Sequence, residues 1–540
     1  MSERTLSLLW KTERGVVTRE MRDAGKKVIS DLQIDRAFRT ICPDTVIREA
    51  FLNVLLTPCT DIDEIQHRTA VLQEFVRVPQ MLDKLIELVR RVLTTKNSWD
   101  SERSRLYSTR RVNPQDKSSV LWAAREGLIL NVHFIRSLNV QIHSIYETLN
   151  MFGCTDGWLG EVREAAYALA LSPQAAYIRD MTEKLEKGLA NAHTYEVEFC
   201  FDPEMKADPY FLRDFRYIQT YERPQKKQSG SLFASLFARV DSTRADAARA
   251  DKEKKAVPEE KPADIPEIPK SVVRVEGVGS DEAFETAAKA VQETDRYLTG
   301  FLRAVIDKFS ALETELYFYK AALQYITRFD DRNVKYTYPE FRDASENLID
   351  IKTLSDLLLL TESMSVMSVV PNDVYFRSGG GETSGILVTG KNNSGKTVYL
   401  RSVGTAVLLA QCGLPVPCES AVISVRNRIF TTFAAAEGEL IPLSSAGRFE
   451  EEVAVLSKII DDVVPSSLLL MNETFQTTAY DEGAEGMYHI LNYIAAMGCG
   501  FIFVTHLLKL KELYRENPSV EILKTSDSPQ TRYKIGRLSE

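Results

Sequence analysis

The chain has 540 residues, 44% of them hydrophobic and 26% charged, with a formal net charge of −9. That composition is globular and long enough for about two to four domains, each with its own core. The acidic balance weighs against a dedicated nucleic-acid binder, although a local basic stripe can operate within an acidic chain. No apolar run reaches the roughly 18 residues that a membrane-spanning helix needs. The opening MSERTLSLLWKTERG is charged early and does not read as a signal peptide, so the expected location is cytoplasmic. Cys42, Cys59, Cys154, Cys200, Cys412, Cys418 and Cys499 are scattered, odd in number and free of any C-x-x-C pair. This argues against a disulfide framework or a zinc site and for buried free thiols.

Residues 1 to about 100 read as helical, with Leu82, Leu85, Leu88, Val89 and Val92 recurring at three- and four-residue steps. The stretch from Leu56 to Asp61 is a break, after which Thr60 or Asp61 can cap a helix through Ile62, Ile65 and His67. Long amphipathic helices are expected from about 118 to 190. Tyr195 to Phe199 alternates as a strand does. Residues 244–270, RADAARADKEKKAVPEEKPADIPEIPK, are charged and Pro-rich and bury too little apolar surface to offset their ordering entropy. They read as a flexible linker or a disordered loop tip within a segment of altered composition from about 224 to 280. A long helix is predicted from about 281 to 328, with Phe301, Val305, Phe309, Leu312, Leu316 and Tyr319 forming one apolar stripe that packs against another helix. Beyond about 335, short apolar strands alternate with helices, the pattern of an α/β domain with a mostly parallel sheet.

Residues 385–397, GILVTGKNNSGKT, contain G-x-x-x-x-G-K-[ST] at Gly390, Gly395, Lys396 and Thr397, between a strand pattern (Ile386 to Val388) and a helix pattern. The glycines let backbone N–H groups turn onto phosphates. Lys396 neutralises the β- and γ-oxygens, the Thr397 hydroxyl suits Mg²⁺, and the helix N-terminus adds a favourable dipole. Asn392, Asn393, Ser394 and Val398 fall in the same nucleotide-binding run. Residues 468–473, LLLMNE, read as a buried strand ending in polar groups. P-loop ATPases usually carry an Asp and then a Glu here, the first supporting Mg²⁺ and the second polarising water. This chain has Asn472 and Glu473. A neutral amide oxygen is a weaker partner for Mg²⁺ than a carboxylate, so Thr397 and Asn472 form a reduced metal set and slow hydrolysis is expected. A further strand, Phe501 to Val504, ends in Thr505 and His506, placing a histidine where it can sense a γ-phosphate or stabilise developing charge.

TGKNNSGKTVYLRSVG, LLLMNETFQTTAYDEG and FVTHLLKL together resemble the MutS family of DNA mismatch-repair ATPases, relatives of the ABC ATPases. The resemblance implies a multidomain chain: an all-α core and lever domain with a small clamp-like insertion, followed by an α/β P-loop ATPase domain. In that layout residues 1–190 form the helical core, 191–280 the insertion, 281–335 the returning lever helices and 336–540 the ATPase domain. It implies a nucleotide-side loop at Pro371, Asn372 and Asp373. It also implies a signature segment within LSSAGRFEEEV (443–453), with Ser444, Ser445 and Gly447 as candidates to reach a partner subunit's ATP. Glu450, Glu451 and Glu452 suit the first turn of the next helix, where carboxylates favour the dipole. The mismatch-reading and connector domains of the family's mismatch finders, and its helical dimerisation tail, are not recognised in this sequence. The implied partners are ATP with Mg²⁺, a second copy of the chain, a repair protein and DNA held mainly through phosphates. Lys226 and Lys227 are possible DNA contacts or simply a solvated basic turn. A nucleotide-gated protein-interaction switch with little DNA affinity is the competing expectation.

Overall fold

The computed structural model describes residues 7–10, 17–108, 117–154, 157–171, 195–201, 207–217, 272–274, 281–377, 384–433, 448–474, 480–515, 519–526 and 528–537, with a few isolated positions between. The chain divides into two compact units.

The first unit comprises Met1–Arg91, Ile145–Glu164 and Asp307–Glu540. It begins with four helices: α1 (Arg19–Asp31), α2 (Ile34–Ile41), α3 (Thr45–Leu55) and α4 (Ile62–Arg77). Side-chain oxygens set their starts. Thr18 accepts from the Met21 N–H, Asp44 from Val46 and Ile47, and Asp61 from Glu64, each pairing a donor the first helical turn leaves orphaned. Asp61, not Thr60, is therefore the cap. Helix α5 (Pro79–Leu106) follows, and Leu82, Leu85, Leu88, Val89 and Val92 are all buried. Among the described residues, α6 (Lys117–Met151), α7 (Gly157–Leu171) and the 51-residue α8 (Asp281–Asp331) come next, each, like α5, divided between the two units. The C-terminal half of α8 packs its aromatic stripe on the early helices. Phe318 stacks on Phe51 at 5.4 Å, Tyr325 on Phe38 at 5.8 Å, and Tyr319 tilts against Phe75 at 5.3 Å. Of the expected stripe, Phe309, Leu316 and Tyr319 are buried and Leu312 is half-buried, while the side chains of Phe301 and Val305 lie outside the described set.

The remainder of this unit holds a short helix, α9 (Leu357–Glu362), and two sheets among its elements. The larger sheet is built from β7 (Gly385–Thr389), β9 (Ile429–Phe433), β10 (Leu468–Asn472), β11 (Gly500–Val504), β12 (Val520–Thr525) and β13 (Ile535–Arg537). Its six strands lie in the order β13-β12-β7-β11-β10-β9. All pairs are parallel except β12–β13. β10 and β11 are buried at every residue, as strands covered by helices on both faces must be. The expectation of a mostly parallel sheet holds for these six strands and needs correction for the rest. A second sheet, of four strands, contains β4 (Glu340–Arg342), β5 (Leu348–Leu354), β6 (Asn372–Arg377) and β8 (Ser420–Ser424). Their order is β4-β8-β5-β6 and the pairing is mainly antiparallel. The expected strand at Thr531 to Ile535 is displaced: a short 3-10 turn occupies Pro529–Thr531 and β13 begins at Ile535.

The second unit comprises Val92–Ser144 and Ala165–Ile306. A buried polar knot ties its helices together. Arg103 pairs with Asp295 at 2.8 and 2.9 Å, the Tyr107 hydroxyl donates to Asp295 at 2.8 Å, and Asn131 donates to Asp295 at 2.9 Å. The strand expected at Tyr195 is β1 (Tyr195–Phe201), pairing antiparallel with β2 (Ala207–Tyr217) and β3 (Val272–Arg274). Lys226, Lys227 and the charged 244–270 segment lie outside the described residues. Six described cysteines are free, and no described helix is long and apolar enough to cross a membrane.

Candidate functional site

Three adjacent parallel strands end together. Val388 of β7 pairs with Val504 of β11, and Val504 pairs with Asn472 of β10. The loop after β7, the residues after β11 and the end of β10 thus emerge side by side at the carboxyl edge, the usual ligand-binding edge of a parallel sheet.

The loop after β7 runs from Gly390 to Gly395 and opens helix α10 (Lys396–Gln411). Gly390 has φ 145° and Gly395 φ 95°, left-handed values that favour glycine, and a Cβ on Gly390 would lie 1.9 Å from Thr525 Oγ1. Asn393, at φ 59°, completes the curl. Lys396 is nearly buried and donates from Nζ to the Gly390 carbonyl at 3.1 Å and the Lys391 carbonyl at 2.8 Å. Burial lowers its pKa, opposed by the nearby Glu473 carboxylate.

The Thr397 hydroxyl donates to Asn472 Oδ1 at 3.1 Å, bringing the two expected metal-side residues together across 75 positions of sequence. Glu473 adopts φ 57°, its N–H donating to the Val504 carbonyl at 2.9 Å. Its Oε1 lies 3.1 Å from His506 Nε2. Behind Glu473, the hydroxyls of Thr474 and Thr432 meet at 3.1 Å.

A pocket of 760 Å³ opens over this edge. Asn392, Asn393, Ser394, Gly395, Lys396, Thr397, Val398, Asn372 and Glu473 line it, together with Leu354, Asp356, Leu359, Val369, Val370 and Tyr533. Asn472 and His506 are not in the lining; they stand behind Thr397 and Glu473. Asn372, expected in a loop, begins β6, and its side chain is already engaged. It accepts from the Ile535 N–H at 2.8 Å and donates to the Tyr533 carbonyl at 3.1 Å, tying the C-terminal segment to the pocket wall. Ser444, Ser445 and Gly447 lie outside the described residues; the helix after them, α11 (Arg448–Asp462), includes Glu450, Glu451 and Glu452.

Two features of the site escape sequence reasoning. Tyr533 stands against the glycine turn, its Cδ1 3.4 Å from where a Gly395 Cβ would be. Asp356, also in the lining, is paired with Arg401 of α10. Neither belongs to a motif, and only the fold brings them to the pocket.

A parallel sheet with such a loop, a lysine and threonine at the start of the following helix, and polar groups on the two neighbouring strand ends defines a P-loop nucleotide-binding domain. Residues 386–535 match the family model described as MutS domain V. Among curated proteins, the chain is similar to the DNA mismatch repair protein MSH2 of Zea mays, 23% identical over 503 residues covering 89% of this chain and 50% of that protein. It is similar to MSH2 of Saccharomyces cerevisiae, 32% identical over 161 residues, 30% of this chain and 16% of that protein. A third relative, the DNA mismatch repair protein MutS of Chlorobium chlorochromatii, is 35% identical over 147 residues, 27% of this chain and 16% of that protein. The chain spans at most half the length of these relatives. Residues 386–535 thus match MutS domain V, and over most of its length the chain is similar to MutS-family proteins at lower identity.

Proposed function

We propose that the chain binds ATP with Mg²⁺ and hydrolyses it, and that it couples ATP-driven closure of a dimer to DNA binding in repair or recombination rather than in direct mismatch reading. The observation that carries this reading is the convergence of Lys396, Thr397, Asn472, Glu473 and His506 at three neighbouring strand ends.

Phosphates enter the curl from Gly390 to Gly395, where backbone N–H groups and the start of α10 favour negative charge. Lys396 then exchanges its loop carbonyls for the β- and γ-oxygens. Glu473 orients the attacking water and accepts its proton. His506 fixes the Glu473 carboxylate from behind and lies close enough to answer charge on the γ-phosphate. The Tyr533 ring, beside Gly395 on the pocket wall, offers a face on which a nucleobase can stack. The Thr397 hydroxyl and the Asn472 amide oxygen, 3.1 Å apart, suit Mg²⁺ only as part of a shell completed by phosphates and water. When bound there, Mg²⁺ would neutralise charge on the phosphate oxygens.

In the same proposal Ser444, Ser445 and Gly447 reach the partner's ATP, and the early helices with α8 carry the closure to DNA held near residues 191–280. Phosphate contacts, Lys226 and Lys227 among the candidates, would make binding weaken steeply with salt. The test is steady-state ATP hydrolysis alone and with homoduplex, mismatched or branched DNA, with Glu473→Ala as the blank. A rate that responds to DNA and vanishes in the variant supports the proposal. Turnover indifferent to every DNA would favour a nucleotide-gated protein switch, the second reading, to which the net charge of −9 lends weight.

A further inference from the structure

Asn472 occupies the strand end where a carboxylate would support a divalent cation, and the two carboxylates described in the pocket lining, Glu473 and Asp356, are engaged with His506 and Arg401. It closes a strand buried throughout, is itself 9% exposed, and meets Thr397 through its amide oxygen. Its neighbours in register are Val504 on one side and Phe433 on the other. The next acid along the chain, Glu473, has its carboxylate against His506 at 3.1 Å. Among the described residues no group of three or more His, Cys, Asp or Glu could hold a metal.

The exchange of carboxylate for amide has two electrostatic effects. A carboxylate at 472 would face the phosphates across Thr397, and like charges at such range repel strongly where water is scarce. A divalent cation between them relieves that repulsion, so a carboxylate makes nucleotide affinity depend on the cation. An amide carries no charge, so the repulsion is absent, and so is the protein's strongest ligand for the cation. Lys396, nearly buried beside the loop, remains to meet the phosphates either way.

We infer that this site binds nucleoside triphosphate almost as well without a divalent cation as with one, and that Asn472 is the residue responsible. The inference rests on the nucleotide-site reading above. Linkage makes it reciprocal: a cation that adds little to nucleotide affinity gains little from the nucleotide in return.

Calorimetric titration of ATPγS into the full chain, in excess MgCl₂ and then in EDTA, tests this without relying on turnover. The native chain is expected to show Kd values within about fivefold of each other, and Asn472→Asp values on the order of a hundredfold apart. Asn472→Ala, which removes the amide without adding charge, is expected to keep the small ratio. Tight binding in MgCl₂ with a hundredfold loss in EDTA for the native chain overturns the inference and leaves the nucleotide site standing. A small ratio that persists in folded Asn472→Asp overturns the assignment to Asn472. Absence of binding in both buffers removes the nucleotide-site reading and the inference with it. Should Asn472→Asp fail to fold, the native chain and Asn472→Ala still decide, because both must hold ATPγS in EDTA.

Discussion

Arg401 and Asp356 face each other fork to fork, Nε to Oδ2 at 2.9 Å and Nη2 to Oδ1 at 2.7 Å, with only 8% and 4% of each residue exposed. Arg401 lies one turn beyond Thr397 on α10. Asp356 lines the pocket and caps α9 by accepting the Leu359 N–H at 2.9 Å. A third partner comes from the corner between α1 and α2, where Gln33 Oε1 accepts from Arg401 Nη1 at 3.1 Å. One guanidinium thus ties the P-loop helix to the start of α9 at the pocket and to the first helical corner.

Breaking that pair leaves a buried carboxylate uncompensated. Arg401→Met is expected to lower stability by about 3–5 kcal/mol, read from urea unfolding midpoints at constant slope. The double variant Arg401→Met with Asp356→Leu removes both charges and should lose less than the single one. A double variant as unstable as the sum of its parts would mean the two residues act separately.

Two glycine-to-alanine changes should move in opposite directions. In Gly390→Ala the new methyl would meet Thr525 Oγ1 at 1.9 Å in a backbone with φ 145°, so the loop must shift. ATP affinity should fall by about ten- to a hundredfold, equivalent to strain of roughly 1–3 kcal/mol. In Gly486→Ala, on helix α12 (Tyr480–Ala496), the methyl meets nothing within 4 Å. That change should leave ATP affinity alone and raise stability by up to about 1 kcal/mol. Equilibrium binding and thermal melts on both variants check the contrast.

The phosphate loop is legible in the sequence because it is local: a strand, a glycine turn and a helix carry the information within one continuous stretch, Gly385 to Gln411. Glu473 and His506 are legible as polar strand ends, since an apolar run that stops abruptly in a carboxylate or an imidazole brings that group to the rim of the sheet. Their meeting depends on register between β7, β11 and β10, which no single segment encodes. The second sheet is not legible because β5 and β6 precede the loop while β8 follows it, and their pairing is settled only by the tertiary fold. Arg401 reads as a polar position on an amphipathic helix until Asp356 is seen opposite. Asn372 reads as a nucleotide-side group, yet its amide is used to dock Tyr533 and Ile535.

Glu315 of α8 gives the chain a pH-sensitive fastening. It is nearly buried, and it accepts from the Ser7 hydroxyl at 2.7 Å and the Leu8 N–H at 2.5 Å. Burial outweighs those hydrogen bonds and pushes its pKa from 4.5 up to about 7. A carboxyl with a raised folded pKa contributes its full stability below the unfolded value, and that contribution is lost as pH rises through the folded one. Relative to Glu315→Gln, the native chain should therefore lose about 3 kcal/mol between pH 4.5 and 7, with no further change above. Melting both proteins across that window checks it; a gap independent of pH would mean Glu315 does not titrate there.

The 3.1 Å contact between His506 Nε2 and Glu473 Oε1 sets the last expectation. If His506 acts by holding the general base, the two residues form one unit, and their losses should not add. Glu473→Gln is expected to lower turnover by about 10³–10⁴-fold, leaving a residual rate that single-turnover measurement resolves, while ATP remains bound. His506→Ala should lower turnover by about 10²–10³-fold with ATP affinity nearly unchanged, because its work falls in the transition state. The double variant should then be no slower than Glu473→Gln alone in single-turnover measurements. A double variant slower by the full factor lost in His506→Ala would separate the roles, leaving His506 to act on the γ-phosphate directly rather than through Glu473.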